Sequence, residues 1–136
     1  MVFAEVLQKL GSKHVLVVHG EDGMDEISIT GKTTVAELKD NQISHYEISP
    51  NDFGFENGSM TDITVENVED SKQKILAILD GERGSARDIT LLNAGAAIYV
   101  AGLAGSIEKG LQLAEKMIDS GEARHKLEEL IVNSNV

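Results

Sequence analysis

Apolar residues recur at helical spacing at the start of the chain and then form a short continuous run. Residues 2–10 place apolar side chains on one face of a helix, which Gly11 is positioned to end. No capping residue precedes this helix, so we expect the segment to continue upstream. The run HVLVV, residues 14–18, is typical of a strand buried on both faces, as in parallel sheets.

A predicted hairpin and a loop follow. Residues 33–48 contain two β-branched segments around Lys-Asp-Asn-Gln, and Asp40 and Asn41 tolerate the left-handed backbone of a tight turn. Residues 49–52, Ser-Pro-Asn-Asp, begin a turn, and residues 52–64 show no sustained period. We therefore expect all strands to lie before residue 66.

Helical periodicity dominates the remaining residues. Apolar stripes predict a helix that ends at Gly81, a helix capped by Ser85, a helix capped by Ser106 and ended by Gly121, and a last helix through Leu127, Leu130 and Ile131. Asn93 lies in a helix that is apolar on most sides, so we expect it to be buried and bonded to a main-chain or loop partner. The small residues 94–97 allow another backbone to approach closely.

Composition and charge narrow the class of protein. A chain of 136 residues is the size of one domain, and no repeat or linker divides it. Its formal net charge of −11 would repel a phosphate backbone. The longest mostly apolar run, residues 89–105, is shorter than the roughly 20 residues of a membrane-spanning helix. With no cysteine and no signal peptide, we expect a cytoplasmic protein with neither nucleic-acid nor membrane partners.

The loop after the apolar run is dense in carboxylates. The sequence HGEDGMDEIS, residues 19–28, contains Glu21, Asp22, Asp25 and Glu26 within six positions. Open α/β sheets bind ligands at the carboxyl ends of their strands, and Mg²⁺ takes one or two carboxylates with phosphates and water. A solvated loop in which Asp25 or Glu26 caps a turn fits the same spacing. The residues alone leave both interpretations open.

Three other motifs do not indicate a site. The sequence TGKTT, residues 30–34, resembles the end of a phosphate-binding P-loop but has Glu26 where that motif needs glycine. No two glycines are separated by a single residue, so a GxGxxG motif is also absent. The four histidines are scattered and lack a metal-binding spacing.

Several motifs taken together resemble one enzyme family. The segments VVHGEDGMDEIS, TGKTTVAELKD, ISPNDFG, GERGSARDITLLNAGAAIYVAGLA and SIEKGLQLAEKMIDSGEARHKLEEL closely resemble, in this order, the C-terminal part of anthranilate phosphoribosyltransferases. The resemblance covers nearly the whole chain. It implies an α/β fold of the nucleoside phosphorylase/phosphoribosyltransferase type, in which sheet strands and a hairpin precede a helical C-terminal half. It also implies that residues 1–136 are the later part of the large catalytic α/β domain.

The same resemblance implies a reaction. Members of this family transfer phosphoribose from phosphoribosyl pyrophosphate (PRPP) to the amine of anthranilate in tryptophan biosynthesis, with Mg²⁺ as cofactor. By this resemblance Asp25 and Glu26 bind the metal, and no residue here is assigned as catalytic. The family's glycine-rich GTGGD loop for PRPP and its N-terminal helical domain do not occur in the sequence. We expect the complete enzyme to bind PRPP and anthranilate as a homodimer, and this chain alone to be inactive.

Two alternatives belong to the same fold class. A nucleoside phosphorylase is disfavoured because HGEDGMDEIS and RDITLLNAGAA resemble the anthranilate enzymes more closely. A non-catalytic relative that binds nucleic acid is disfavoured by the net charge of −11 and by the presence of only three arginines, Arg83, Arg87 and Arg124.

Overall fold

A three-stranded antiparallel sheet follows the first helix, and helices make up the second half of the chain. The structure is a computed structural model that describes residues 2–134. Its elements are α1 (Val2–Lys9), β1 (His14–Gly20), β2 (Thr33–Lys39), β3 (Gln42–Ile48), a 3₁₀ turn (Pro50–Phe53), α2 (Met60–Ile63), α3 (Val68–Leu79), α4 (Ser85–Val100), α5 (Ile107–Asp119) and α6 (Glu122–Ser134). In this described range no helix has the length and apolarity needed to cross a bilayer.

The predicted change from strands to helices is confirmed. The last strand ends at Ile48, and every long element from Val68 onward is a helix, so the mixed α/β class is correct. The predicted loop of residues 52–64 contains the end of the 3₁₀ turn and one short helix, α2. The Ser59 hydroxyl accepts a hydrogen bond from the Thr61 amide, and Asp62 accepts one from the Ser59 amide. These capping bonds explain how four residues form a helical turn without a periodic pattern.

The predicted hairpin is also confirmed, and its two turn residues explain why it forms. Strands β2 and β3 pair antiparallel from Thr33↔Ile48 to Lys39↔Gln42. Asp40 and Asn41 connect them with φ values of 50° and 62°. A two-residue hairpin turn needs this left-handed backbone at both positions, and Asp and Asn adopt it more readily than most residues.

The prediction for β1 was wrong in its pairing and burial. Strand β1 pairs antiparallel with β2, from His14↔Lys39 to Gly20↔Thr33, and residues 14–18 are half-buried. Within the described residues β2 is its only neighbour in the sheet. Val15, Leu16 and Val18 line an open cleft of about 270 Å³ against α4. A continuous apolar run indicates a strand that can be buried, but it does not show whether the neighbouring strand is parallel or antiparallel.

The backbones of helices α4 and α5 lie close together at Gly95 and Gly110. A Cβ atom added to Gly110 would lie 2.1 Å from the carbonyl oxygen of Gly95, and one added to Gly95 would lie 2.6 Å from the amide nitrogen of Leu111. The expectation that the small residues 94–97 admit another backbone is therefore confirmed. Leu91, Leu92, Ala96, Leu111 and Ala114 surround this contact and are buried.

One of the two predicted helix caps is correct. The Ser106 hydroxyl accepts a hydrogen bond from the Lys109 amide at 3.2 Å and caps α5. Ser85 is instead the first residue of α4, and Gly84 takes the cap position with a φ of 136°. That backbone angle favours glycine, and the Ser85 hydroxyl donates to Asp62 instead.

A polar cluster centred on Glu37 ties the sheet to α4. The Glu37 carboxylate accepts hydrogen bonds from the hydroxyls of Tyr99, at 2.7 Å, and Tyr46, at 2.9 Å, and lies 2.9 Å from Nε2 of His14. Burial alone would raise the pKa of Glu37, but the bonds from Tyr99, Tyr46 and His14 together lower it. The ionised carboxylate is thus the form that the fold stabilises.

We expect Glu37 to make stability depend on pH in the acid range. A carboxyl whose pKa is lower in the folded than in the unfolded state stabilises the fold above its unfolded pKa, and this contribution is lost as pH falls through the folded pKa. The free energy of unfolding of Glu37→Gln should therefore differ most from that of the wild type at pH 7, and this difference should shrink from about pH 5 downward. Urea unfolding between pH 7 and 3 measures it.

The exposed Glu47, which pairs with Lys32 at 2.9 Å, provides the control for that series. Glu47→Gln should leave the stability profile close to the wild type because an exposed ion pair contributes little. A Glu37→Gln effect of constant size from pH 7 to pH 3 would contradict the assignment.

Candidate metal-binding loop

The acidic loop, residues 21–32, connects the carboxyl end of β1 to the start of β2. It is closed at its base by hydrogen bonds from the Gly20 amide to the Met24 carbonyl and from the Glu21 amide to the Lys32 carbonyl, both 2.9 Å. Two of its side chains, Ile27 and Ile29, are 3% and 0% exposed and belong to the main core. The loop is therefore anchored at its base and along its second half.

Asp22 organises the first half of the acidic loop. Its Oδ1 accepts from the Met24 amide at 3.0 Å, and its Oδ2 accepts from the hydroxyls of Ser28 and Thr30 at 2.5 Å each. Partial burial would raise the pKa of Asp22, but these hydroxyl and amide donors lower it. The sequence offered Asp25 or Glu26 as the turn-capping carboxylate, and the structure assigns that role to Asp22.

Two glycines make this arrangement possible. A Cβ atom on Gly20 would lie 2.5 Å from Oδ1 of Asp22, so a larger residue there would displace the folded-back carboxylate. Gly23 has a φ of 92°, which L side chains rarely adopt. The spacing of the HGEDG segment thus follows from the turn that Asp22 closes.

Asp25 and Glu26 differ from Asp22 in having no hydrogen-bond or ion-pair partner in the described part of the chain. Both side chains are exposed, and among residues 2–134 neither accepts a hydrogen bond or forms an ion pair. On one side the Met24 amide is bonded to Asp22, and on the other Ile27 is buried in the core. Asp25 and Glu26 therefore lie on a short segment that is anchored at both ends. Unengaged carboxylate oxygens are the donors that Mg²⁺ prefers, and the pair fits such an ion. In the same described range no three acidic or histidine side chains converge on one point.

Asn93 of α4 reaches the acidic loop directly. Its Oδ1 accepts from the Ile27 amide and its Nδ2 donates to the Ile27 carbonyl, both at 2.9 Å. The expectation of a main-chain loop partner is confirmed. Asn93 is half-buried rather than fully buried because it lies at the cleft between β1 and α4.

A larger cleft lies away from the acidic loop. It has a volume of about 630 Å³ between α3 and the first turn of α4. Its lining includes the cations Lys74, Arg83 and Arg87, and also the carboxylates Asp62, Asp70 and Glu82. Arg87 is buried and donates to Asp119 at 2.6 Å. Because three cations and three carboxylates line this cleft, it does not resemble a site that is selective for anions or for cations.

Comparison with known proteins decides the family. Residues 1–124 match the family model described as the a/b domain of the glycosyl transferase family. The chain belongs to that family. Anthranilate phosphoribosyltransferases of Laribacter hongkongensis and Neisseria gonorrhoeae are each 52% identical to it, over 128 and 131 residues. These matches cover 94% and 96% of this chain, which confirms the resemblance seen in the sequence.

Solved structures give the same result for the fold. The anthranilate phosphoribosyltransferase of Thermus thermophilus superposes with a TM-score of 0.85 at 33% identity, over 95% of this chain and 38% of that one. The Saccharomyces cerevisiae enzyme in complex with PRPP and Mg superposes with a TM-score of 0.73 at 25% identity, over 85% of this chain and 33% of that one. This chain spans 37% and 38% of the length of the two bacterial relatives above.

Proposed function

We propose that this chain is the part of an anthranilate phosphoribosyltransferase that carries the magnesium-binding loop. Residues 1–136 would form the later part of the catalytic α/β domain, and the rest of the enzyme would supply the PRPP-binding loop and the N-terminal helical domain. The observation that carries the proposal is the state of Asp25 and Glu26. Both are exposed and form no hydrogen bond or ion pair among residues 2–134, whereas Asp22 in the same loop is hydrogen-bonded through both carboxylate oxygens.

The proposed reaction replaces a bond from carbon to oxygen by one from carbon to nitrogen. The bond from C1 of the ribose to pyrophosphate breaks, and its electron pair leaves with the pyrophosphate. The anthranilate nitrogen bonds to C1, and the amine proton passes to solvent. Bound Mg²⁺ would neutralise the charge that grows on the leaving pyrophosphate.

The residues of this chain contribute position and charge to that step. Asp25 and Glu26 would hold the metal, which keeps one or two carboxylate ligands and takes the others from phosphate and water. Asp22 keeps the loop closed through Ser28 and Thr30, and its own carboxylate is fully used there. Asp22 is therefore a loop-closing residue in this proposal and not a metal ligand.

The relatives and the charge favour this function over the two alternatives. The relatives named above, which are about half identical to this chain, are anthranilate phosphoribosyltransferases, which supports that substrate pair over a nucleoside. The net charge of −11 disfavours nucleic acid. The homodimer and the cytoplasmic location remain predictions.

We expect the 136-residue chain to show no anthranilate-dependent consumption of PRPP at any Mg²⁺ concentration. The groups that position the ribose phosphate would lie outside it, and a metal held by two carboxylates alone keeps most of its water. A chimaeric enzyme, in which this chain replaces the matching segment of the Neisseria gonorrhoeae relative, should be active. Loss of anthranilate fluorescence measures both.

Two results would contradict the proposal. Turnover by the 136-residue chain alone would overturn its assignment as an incomplete part of the enzyme. A chimaeric enzyme that unfolds at the temperature of the Neisseria enzyme and yet has no activity would overturn the assigned reaction.

A further inference from the structure

The Asn93 side chain binds both main-chain groups of one residue in the acidic loop. The Ile27 amide donates to Oδ1 and the Ile27 carbonyl accepts from Nδ2, each at 2.9 Å, and Nδ2 also reaches the Ile89 carbonyl at 3.0 Å. A side-chain amide is suited to this because it carries one acceptor and two donors. The paired bonds fix the orientation of Ile27 as well as its position.

Ile27 is the residue directly after Glu26. On the other side of the carboxylate pair, Asp22 binds the Met24 amide at 3.0 Å. Asp25 and Glu26 therefore lie between two main-chain anchors, one made within the loop and one made by helix α4. The Ile27 side chain is 3% exposed, which adds an apolar anchor at the same point.

We infer that Asn93 is a positioning residue that holds Asp25 and Glu26 in the geometry required to bind Mg²⁺. The inference rests on the proposed function. Mg²⁺ demands near-ideal octahedral coordination, so carboxylates on a loosened segment bind it less well. Mutating a residue that orients a metal ligand without binding the metal itself typically lowers metal affinity or activity 10- to 100-fold. Asn93 forms no hydrogen bond with the Asp25 or Glu26 side chain, so we expect its effect to pass through the Ile27 main chain.

The test compares Asn93→Ala with Asn67→Ala in the chimaeric enzyme. Asn67, at the start of α3, is a matched control. Its side-chain oxygen also accepts a hydrogen bond from a backbone amide, that of Asp70, and its side-chain nitrogen donates one to the Asp70 carboxylate. Three quantities are measured: the dissociation constant of Mn²⁺ with pyrophosphate present, by electron paramagnetic resonance; the Mg²⁺ concentration for half-maximal rate; and the thermal midpoint.

We expect Asn93→Ala to raise the Mn²⁺ dissociation constant and the Mg²⁺ requirement about 10- to 100-fold, with the KM for anthranilate unchanged. Asn67→Ala should lower the thermal midpoint and leave both metal constants at the wild-type value. If the alanine variant does not fold, Asn93→Asp keeps the size and the acceptor for the Ile27 amide but loses the donor to its carbonyl. This variant should also raise the metal constants.

The outcomes separate the inference from the function on which it rests. Wild-type metal constants in Asn93→Ala, or in Asn93→Asp if that is the variant that folds, would overturn the inference whatever the thermal midpoint. If the chimaeric enzyme binds no Mn²⁺, or if Asp25→Asn and Glu26→Gln leave its metal constants unchanged, the proposed metal loop is wrong and the inference falls with it.

Discussion

Replacing Asp25 or Glu26 with alanine is expected to lower the turnover of the chimaeric enzyme roughly a hundredfold or more, the effect of removing one preorganised electrostatic contact. Neither side chain stabilises the fold through a hydrogen bond or ion pair in the described residues, so the loss should not come from unfolding. The rate constant kcat at saturating PRPP, measured across a range of Mg²⁺ concentrations, gives the size of the effect. The thermal midpoint should stay near the wild-type value.

A carboxylate at the other end of the sheet provides the control. Asp40 lies in the turn between β2 and β3 with a φ of 50°, a backbone angle that asparagine also tolerates. Asp40→Asn removes one negative charge without changing the acidic loop, and it should keep the wild-type rate. Normal kinetics in a variant with alanine at both position 25 and position 26 would show that the two residues do not hold the metal.

Gly110→Ala is expected to destabilise the chain by about 3 kcal/mol or more, at or above the upper end of overpacking substitutions. The added methyl carbon would lie 2.1 Å from the Gly95 carbonyl oxygen and 2.9 Å from its carbonyl carbon. Both are main-chain atoms of α4, so a change of side-chain rotamer cannot relieve the clash. The helices would have to separate, which opens the core around Leu111 and Leu92.

Gly105 is the matched control, because a Cβ atom there meets no heavy atom within 4 Å. Gly105→Ala should be close to neutral in urea unfolding. If both alanine variants have wild-type unfolding midpoints, the close approach of α4 and α5 does not exist in solution.

Periodicity together with local turn and capping residues predicted the order of the long elements, but not the short helix α2. The hairpin of residues 33–48 could be predicted because its turn chemistry is local: Asp40 and Asn41 favour the backbone that the turn needs. The cap of α5 could be predicted for the same reason, because Ser106 bonds an amide three residues away. The pairing of β1 could not, because its partner residues lie 13 to 25 positions later, from Gly20↔Thr33 to His14↔Lys39.

The candidate site was only partly visible in the sequence. The resemblance to the family selected Asp25 and Glu26, but the composition of the loop gave no reason to separate them from Asp22. The structure separates Asp22 through Ser28 and Thr30, whose hydroxyls bond its carboxylate, whereas Asp25 and Glu26, like Glu21, form no hydrogen bond or ion pair among residues 2–134. The Glu37 cluster was missed because His14, Tyr46 and Tyr99 come from three elements that no local pattern joins.

The contact between Gly95 and Gly110 has a consequence for evolutionary comparison. Each added methyl group would collide with main-chain atoms of the other helix, which are the same whatever side chain the partner residue carries. No substitution at one position can compensate for a substitution at the other. Aligned homologues should therefore show two separately constrained glycines and no correlated changes between them. Methods that infer contacts from covariation would then overlook the closest approach between these two helices.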